Sequence, residues 1–280
     1  MQEKRKAANI LIYVILTILS VIFIIPIALV IMNSLKNKLY ISTSPFALPN
    51  SESFRGLKNY IEGLTKIHFM DSIGYSLFIT VVSVIMIIVF CSMTAWYITR
   101  VKNKLTSFIY FMFIASMVVP FQMVMYTMTK VANMTHLDNF VGINVLYLGF
   151  GSSMAVFMFT GFVKGIPIEL EEAGLIDGCN PLTMFVKVVF PVLKPISITI
   201  AILNAMWIWN DFLLPYLVIG ISTKYKTIPV VVQMLVGSNG NKDMGALMAM
   251  LVLSIIPIII FYLSCQKYII EGVVAGAVKG

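Results

Sequence analysis

Lys164-Gly165-Ile166-Pro167-Ile168-Glu169-Leu170-Glu171-Glu172-Ala173-Gly174-Leu175-Ile176-Asp177-Gly178-Cys179-Asn180-Pro181, continuing to Phe190-Pro191 and Pro195, is a polar island between two apolar runs. Pro167 suits a first helical turn, where its missing N–H is not needed. Glu169, Glu171 and Glu172 then fall where negative charge complements the helix dipole. Asp177-Gly178 ends this helix, with Gly178 expected in the left-handed conformation. Asn180-Pro181 starts another, Asn as N-cap and Pro at the first helical position. That second helix is expected over Leu182 to Val189, until Pro191 and Pro195 stop it. The first helix carries Ile168, Leu175 and Ile176 on an apolar side and glutamates on a charged one. A short amphipathic helix outside a bilayer either lies on the interface or fills a groove on another protein. Interfacial helices are rich in Lys and Arg on the polar face, so this acidic one favours a protein groove.

The surroundings of the island are far more apolar. Of 280 residues, 59% are hydrophobic and 11% charged, against about 25% charged in a soluble domain. An integral membrane protein follows. The net charge of +8 lies largely beside apolar runs, where it meets anionic headgroups of membrane lipid. No soluble basic domain exists that would bind nucleic acid. Cys91, Cys179, Cys265, His68 and His136 show no ligand or dyad spacing, so neither a metal site nor a nucleophilic catalytic site is expected. No Gly-x-x-x-x-Gly-Lys-Ser/Thr occurs, and no cofactor or enzymatic activity is expected of the chain itself.

Six apolar runs lie along the chain, at about 10–32, 73–98, 107–128, 145–163, 196–219 and 246–263. Each is near the roughly 18–20 residues that span a hydrocarbon core as a helix, and helices satisfy their own backbone groups in lipid. The fold class is therefore all-α, a polytopic membrane protein with six transmembrane helices in one domain, 1–280. The first run follows Lys4-Arg5-Lys6. At 23 residues it exceeds the roughly 7–15 of a signal core, and it reads as a retained helix. Lys4, Arg5 and Lys6 before the first span, and Arg100, Lys102 and Lys104 after the second, place both short segments in the cytoplasm. The whole count is less one-sided, eleven Lys and Arg inside and nine outside, five of the nine in the long 33–72 segment. Both termini and the 164–195 island are then cytoplasmic.

Polar groups inside the spans are few. Asp211 and Asn210 fall in the outer half of the fifth, with Asn204, Trp207 and Trp209 nearby. They mark either a pathway or, because Pro215 ends the buried part, the headgroup level where Trp also anchors. Gln122, beside Pro120, is the one long polar side chain in the third. The methionines of that span, among them Met112, Met117, Met123, Met125 and Met128, read as packing. Pro26, Pro120, Pro215 and Pro257 fit kinks. The segment 222–245, with Gly237-Ser238-Asn239-Gly240-Asn241, is an external connector.

Glu172-Ala173-Gly174, three residues, Gly178, and later Pro191 resemble the "EAA…G…LP" loop of permease subunits of ABC importers. Gly174 stands where Ala is usual, and Phe190 where Leu often precedes the proline. Trp209-Asn210-Asp211-Phe212 resembles the "WN-acid-F" segment of carbohydrate permeases. Gly272-Val273-Val274-Ala275-Gly276-Ala277-Val278-Lys279-Gly280 is similar to the "GLTAGAVKG" tail of the smaller, maltose-type subunit, and Asn33-Ser34-Leu35-Lys36 also fits. The resemblance implies a type I ABC importer permease fold, with the island as a coupling helix that docks on an ATP-hydrolysing subunit. It implies ATPase-coupling roles for Glu169, Glu172, Ala173, Gly174, Asp177, Gly178, Asn180, Pro181 and Pro191. It implies a C-terminal ATPase contact at Ala275, Gly276 and Lys279, within a tail at 269–280. It further implies a possible translocation pathway at Gln122, Asn204, Trp207, Asn210 and Asp211, and a binding-protein contact at Ser238, Asn239, Gly240 and Asn241. Expected partners are a second homologous permease, an ATP-binding subunit dimer, an extracellular sugar-binding protein and a sugar, an oligosaccharide by branch likeness, in a bacterial-type cell membrane. ATP would be bound by the partner ATPase. The alternative is a stand-alone ion-coupled secondary transporter, which needs an intramembrane charge; only Asp211 offers one.

Overall fold

A computed structural model describes the backbone of residues 2–220, 223–236 and 243–277, and the side chains of 9–220, 223–236 and 243–268. Apart from one antiparallel bridge between Lys36 and Phe54, the elements named among the described residues are helices. In chain order they are α1 (Gln2–Ser34), α2 (Lys38–Thr43), α3 (Lys58–Lys66), α4 (Phe69–Arg100), α5 (Lys104–Val118), α6 (Phe121–Met134), α7 (Ile143–Val163), α8 (Glu169–Ile176) and α9 (Pro181–Met184). A π-helical turn (Phe185–Val189) follows, then α10 (Phe190–Val192), α11 (Lys194–Asn210), α12 (Leu213–Val218), α13 (Ile228–Met234) and α14 (Met244–Ala277).

Four described helices are long and apolar enough to cross a bilayer: Asn9–Ser34 within α1, α4, α7, and Met244–Tyr268 within α14. Two bent pairs raise the number to six if each is one span: α5 with α6, bent by 113°, and Pro181–Val192 with α11, bent by 78°. The third and fifth runs are thus not the straight helices their hydropathy suggested. The third breaks at Val119, which is forced to extended backbone (φ −82°, ψ 112°) ahead of Pro120. Proline disfavours the helical region for its predecessor and supplies no N–H of its own. The fifth ends at Asp211, also extended (φ −74°, ψ 122°). The Asp211 Oδ1 accepts the Leu213 N–H at 3.0 Å, a side-chain turn that leads into the helix that follows. Pro26 and Pro257 remain inside α1 and α14.

Chain contacts define two compact units, 1–70 with 231–257, and 71–230 with 258–280. In the first, the apolar side chains of α1 from Ile10 to Ile25 are exposed all round, as suits a helix whose solvent is lipid. The segment after it is folded. Asn59 Nδ2 donates to the carbonyls of Ser34 (2.7 Å) and Lys36 (2.8 Å), and the Ser34 and Tyr60 hydroxyls pair at 2.7 Å. Lys36 is buried, its Nζ donating to the carbonyls of Ser44 and Pro45, and burial pushes the amine below its ordinary pKa. Helix α3 approaches α14 closely because Gly245 has no side chain. A Cβ there would stand 2.5 Å from Asn59 Oδ1.

The second unit holds one apolar cluster running through α4, α7, the α9–α10 region and α11, with Ile87, Cys91, Ala95, Tyr147, Phe159, Phe185, Leu193 and Ile200 among its buried members. Helix α7 packs against α5 and α11. Hydroxyl and amide groups tie the bundle where apolar contacts alone would let helices slide. Ser83 donates to Asn144 Oδ1 at 2.9 Å, and Ser116 pairs with Ser153 at 2.6 Å.

Candidate functional site: the hairpin between α7 and α11

The polar island folds as a helical hairpin whose joints are those its caps specify. Helix α8 starts at Glu169 with Ile168 as N-cap, so Pro167 lies just ahead of the helix and not in its first turn. Its C-terminus closes with Gly178 at φ +80°. The Cys179 N–H reaches Gly174 O and the Gly178 N–H reaches Leu175 O, both at 3.0 Å, the paired bonds of a left-handed glycine cap. Asn180 Oδ1 then accepts the Thr183 N–H at 2.8 Å, and Pro181 opens α9.

The second half extends further than expected. Pro191 does not stop it at Val189; the chain remains helical to Val192. The π turn Phe185–Val189 immediately precedes Pro191, with the Phe190 N–H bonded to Phe185 O. A wider turn relieves the crowding between a proline ring and the carbonyl four residues back. Pro195 lies in the first turn of α11, where it needs no partner.

The three glutamates have different surroundings. Glu169 and Glu172 are exposed, whereas Glu171 is 7% exposed. Its Oε1 accepts the Arg100 Nε–H at 2.8 Å and lies 2.7 Å from Arg100 Nη2; its Oε2 accepts the Trp96 indole N–H at 2.9 Å. Arg100 Nη2 also donates to Ile166 O at 3.1 Å, and the Trp96 ring lies 5.7 Å from that of Phe185. Gly174, one turn on from Glu171, is buried against the second half. A Cβ there would meet Met184 Cε at 2.7 Å. The glycine is thus a close-approach position. The outward side carries Glu172, Ala173 and Asp177 with exposed Ile168, Leu175 and Ile176. Ile176 is 87% exposed.

A second cluster forms where α11 breaks. Tyr147 donates its hydroxyl to Asp211 Oδ2 at 3.0 Å and meets the Trp207 ring edge-on at 5.5 Å. Trp207 is 41% exposed. Asn210 is exposed and bonded to Met206 O, while Asn204 is buried with its Oδ1 unpaired among the described residues. A Cβ at Gly151 would lie 2.8 Å from that oxygen. Gln122 is exposed on α6 and joins neither cluster. Ser238, Asn239, Gly240, Asn241 and Lys279 lie outside the described residues. Ala275 and Gly276 fall in the last turns of α14, so the helix runs well past the apolar stretch that ends near 263.

Sequence reasoning missed Arg100, Trp96 and Tyr147, and treated Glu171 only as part of a charged face. Trp96 and Arg100 lie one helical turn apart at the end of an apolar run. An Arg at that end reads as a membrane-flanking charge until its partner, 71 positions later, is seen.

Residues 87–274 match the profile of the "Binding-protein-dependent transport system inner membrane component" family. The chain belongs to this family. The permease is 38% identical, over 94% of both chains, to the "Probable starch degradation products transport system permease protein AmyC" of Thermoanaerobacterium thermosulfurigenes. It is 34% identical to the "Multiple sugar-binding transport system permease protein MsmG" of Streptococcus mutans, over 95% of this chain and 96% of that one. It shares its fold with a chain of a bacterial ABC transporter involved in the import of the acidic polysaccharide alginate, at TM-score 0.75 and 22% identity over 94% of this chain and 96% of that one. The permease is a multi-pass membrane transport component and not an enzyme. This membership displaces the ion-coupled alternative.

Proposed function

We propose that the permease is one of two membrane subunits of an ATP-driven, binding-protein-dependent sugar importer, with an oligosaccharide as cargo. It contributes half of the translocation pathway and pairs with a homologous permease, an ATPase dimer that binds the ATP, and an extracellular sugar-binding protein. Both termini and the α8–α10 hairpin face the cytoplasm, as the basic short segments favour. The observation that carries the reading is the two-sided form of α8. Glu171 and Gly174 are turned into the protein, while Glu172, Ala173, Asp177 and the apolar Ile168, Leu175 and Ile176 face out. An exposed acidic and apolar helix presents the groove-filling mode of recognition.

Glu169, Glu172, Ala173 and Asp177 form the contacting side, and Gly174, Gly178, Asn180, Pro181 and Pro191 shape the hairpin. The end of α14 at Ala275 and Gly276, with Lys279, adds a further ATPase contact, and Ser238–Asn241 meet the binding protein. Asn204, Trp207, Asn210 and Asp211, with Gln122 more remote, line the pathway.

The test is reconstitution of the assembled complex in proteoliposomes. Glu172→Lys and Gly178→Asp are expected to insert normally, lose ATPase association and lose ATP-dependent uptake. Normal assembly and transport by both variants would remove the hairpin from coupling. Uptake that collapses under a protonophore at constant ATP would refute ATP drive. Copurification with the binding protein, followed by analysis of the bound sugar, identifies the cargo.

A further inference from the structure

We infer that Glu171, Arg100 and Trp96 form the rigid joint through which movement of the hairpin is delivered to α4, and that Glu171 is a positioning residue of coupling, not a contact for the ATPase. The inference rests on the reading of the hairpin as the ATPase-docking element.

The geometry is that of a joint that cannot swivel. Trp96 and Arg100 are four residues apart on α4, so they share one face. Between them they hold three separated parts of the island: Ile166 O before α8, both carboxylate oxygens of Glu171 within α8, and the Phe185 ring beyond α9. A single contact would let α8 pivot against the span; contacts before, within and beyond α8 restrain its orientation. The chemistry enforces the same thing. Burying a carboxylate and a guanidinium is costly unless the geometry is good and the remaining hydrogen-bonding positions are filled. Here Glu171 is 7% exposed and the Arg100 side chain 19%, and each oxygen of the carboxylate has a donor. Among the three glutamates of α8, this is the one withdrawn from any incoming protein.

Helix α4 carries the motion onward. At about 1.5 Å per residue it is a rod of about 48 Å. Its Ser83 bonds Asn144 of α7, and its Ile87 touches the position of Gly151, where Asn204 of α11 also closes in. The hairpin joint and the α7–α11 seam are therefore attached to one helix.

The experiment uses the full complex in proteoliposomes and reads two quantities: ATPase copurification, and ATP hydrolysed per sugar taken up. Arg100→Glu and Glu171→Arg are each expected to retain the ATPase while ATP spent per sugar rises about tenfold or more, the size of an ordinary coupling free energy. The double swap Arg100→Glu/Glu171→Arg is expected to bring the ratio back toward wild type. Glu171→Gln, which keeps shape, and Trp96→Phe, which keeps an aromatic ring but removes the indole donor, give smaller rises and carry the test if a charge reversal fails to insert. A wild-type ratio in Glu171→Gln, Trp96→Phe and the single swaps overturns the joint. Loss of the ATPase in Glu171→Gln overturns it too, because Glu171 would then be a contact. Failure of the underlying reading looks different: Glu172→Lys keeps its ATPase, or the wild-type complex shows no ATP-dependent uptake.

Discussion

Gly174 lies so close to Met184 that a Cβ would stand 2.7 Å from its Cε and 2.9 Å from its Sδ. Both atoms are toward the free end of a flexible side chain, so the cost of adding a methyl depends on whether Met184 gives way. Gly174→Ala gains about 1 kcal/mol of helix propensity and loses a similar amount in repacking the buried Met184. Its melting temperature is expected to stay near wild type. Gly174→Leu cannot be accommodated so and is expected to part α8 from α9 and to lower ATPase copurification. A large destabilisation by Gly174→Ala in a detergent melt would contradict this.

Gly178 poses the opposite problem. Nothing lies within 4 Å of a Cβ there, yet its φ is +80°. Only the backbone resists substitution, at about 1–2 kcal/mol for an ordinary L-residue. Asn tolerates that region better, so thermal stability is expected to fall in the order Gly, Asn, Ala, Val. An order that follows side-chain volume without favouring Asn over Ala would show that space, not conformation, sets the cost.

Asp211 is held at the break after α11 by the Tyr147 hydroxyl and the Leu213 amide. Tyr147→Phe removes one bond to the carboxylate, worth about 1.5–3 kcal/mol for a charged acceptor. If these groups meet the cargo, Tyr147→Phe and Asp211→Asn raise the KM of uptake while the affinity of the binding protein is unchanged. Unaltered KM and sugar range in both variants would take this cluster out of the pathway.

Asp243 pairs with Lys66 at 2.9 Å. Burial pushes its carboxyl up, but the Lys66 hydrogen bond, the Ala246 amide and the charges of Lys66 and Arg55 outweigh this and hold it below its ordinary 3.8. A depressed folded pKa means that the unfolded chain binds the proton first as pH falls. The pair's contribution is then complete above about pH 4 and is lost below it, as pH drops through the folded value. Lys66 is 58% exposed, so the contribution is small, within about 1 kcal/mol. Thermal melts from pH 6 to pH 3 are expected to fall more steeply for wild type than for Asp243→Asn; parallel curves would remove the pair from the pH response.

The features readable in the amino-acid order were those settled by neighbours in the chain. Asn180-Pro181 is a start signal and Asp177-Gly178 a stop, and both appear as such. Hydropathy located the spans because burial in lipid is a property of a window. It did not register the breaks at Val119 and Asp211, since the same apolar residues lie on both sides of each. Pro120 was visible, but a mild kink and a 113° bend share one sequence cue. The Glu171–Arg100 pair and the Tyr147–Asp211 bond join residues 71 and 64 positions apart. No spacing rule links them, so they become legible only once α4, α7 and α11 are packed. The fold of the long 33–72 segment carries no such local signal, because its order depends on Asn59 bridging Ser34 and Lys36, again a contact across distance.

The π turn at Phe185–Val189 has a consequence for how this hairpin tolerates change in length. Relative to an α-helical path it holds an extra residue, and each residue turns a helix by about 100°. Removing one residue from this turn would restore a regular helix and leave Phe190–Val192 at about the same angle relative to α9, whereas straightening the turn with all five residues kept would rotate them by about that 100°, aiming Phe190 away from Phe185 and carrying the start of α11 with it. The bulge thus holds a spare residue while keeping the angular phase between the hairpin and the span that follows, and a single-codon deletion inside these five positions is expected to be tolerated better than one within α11.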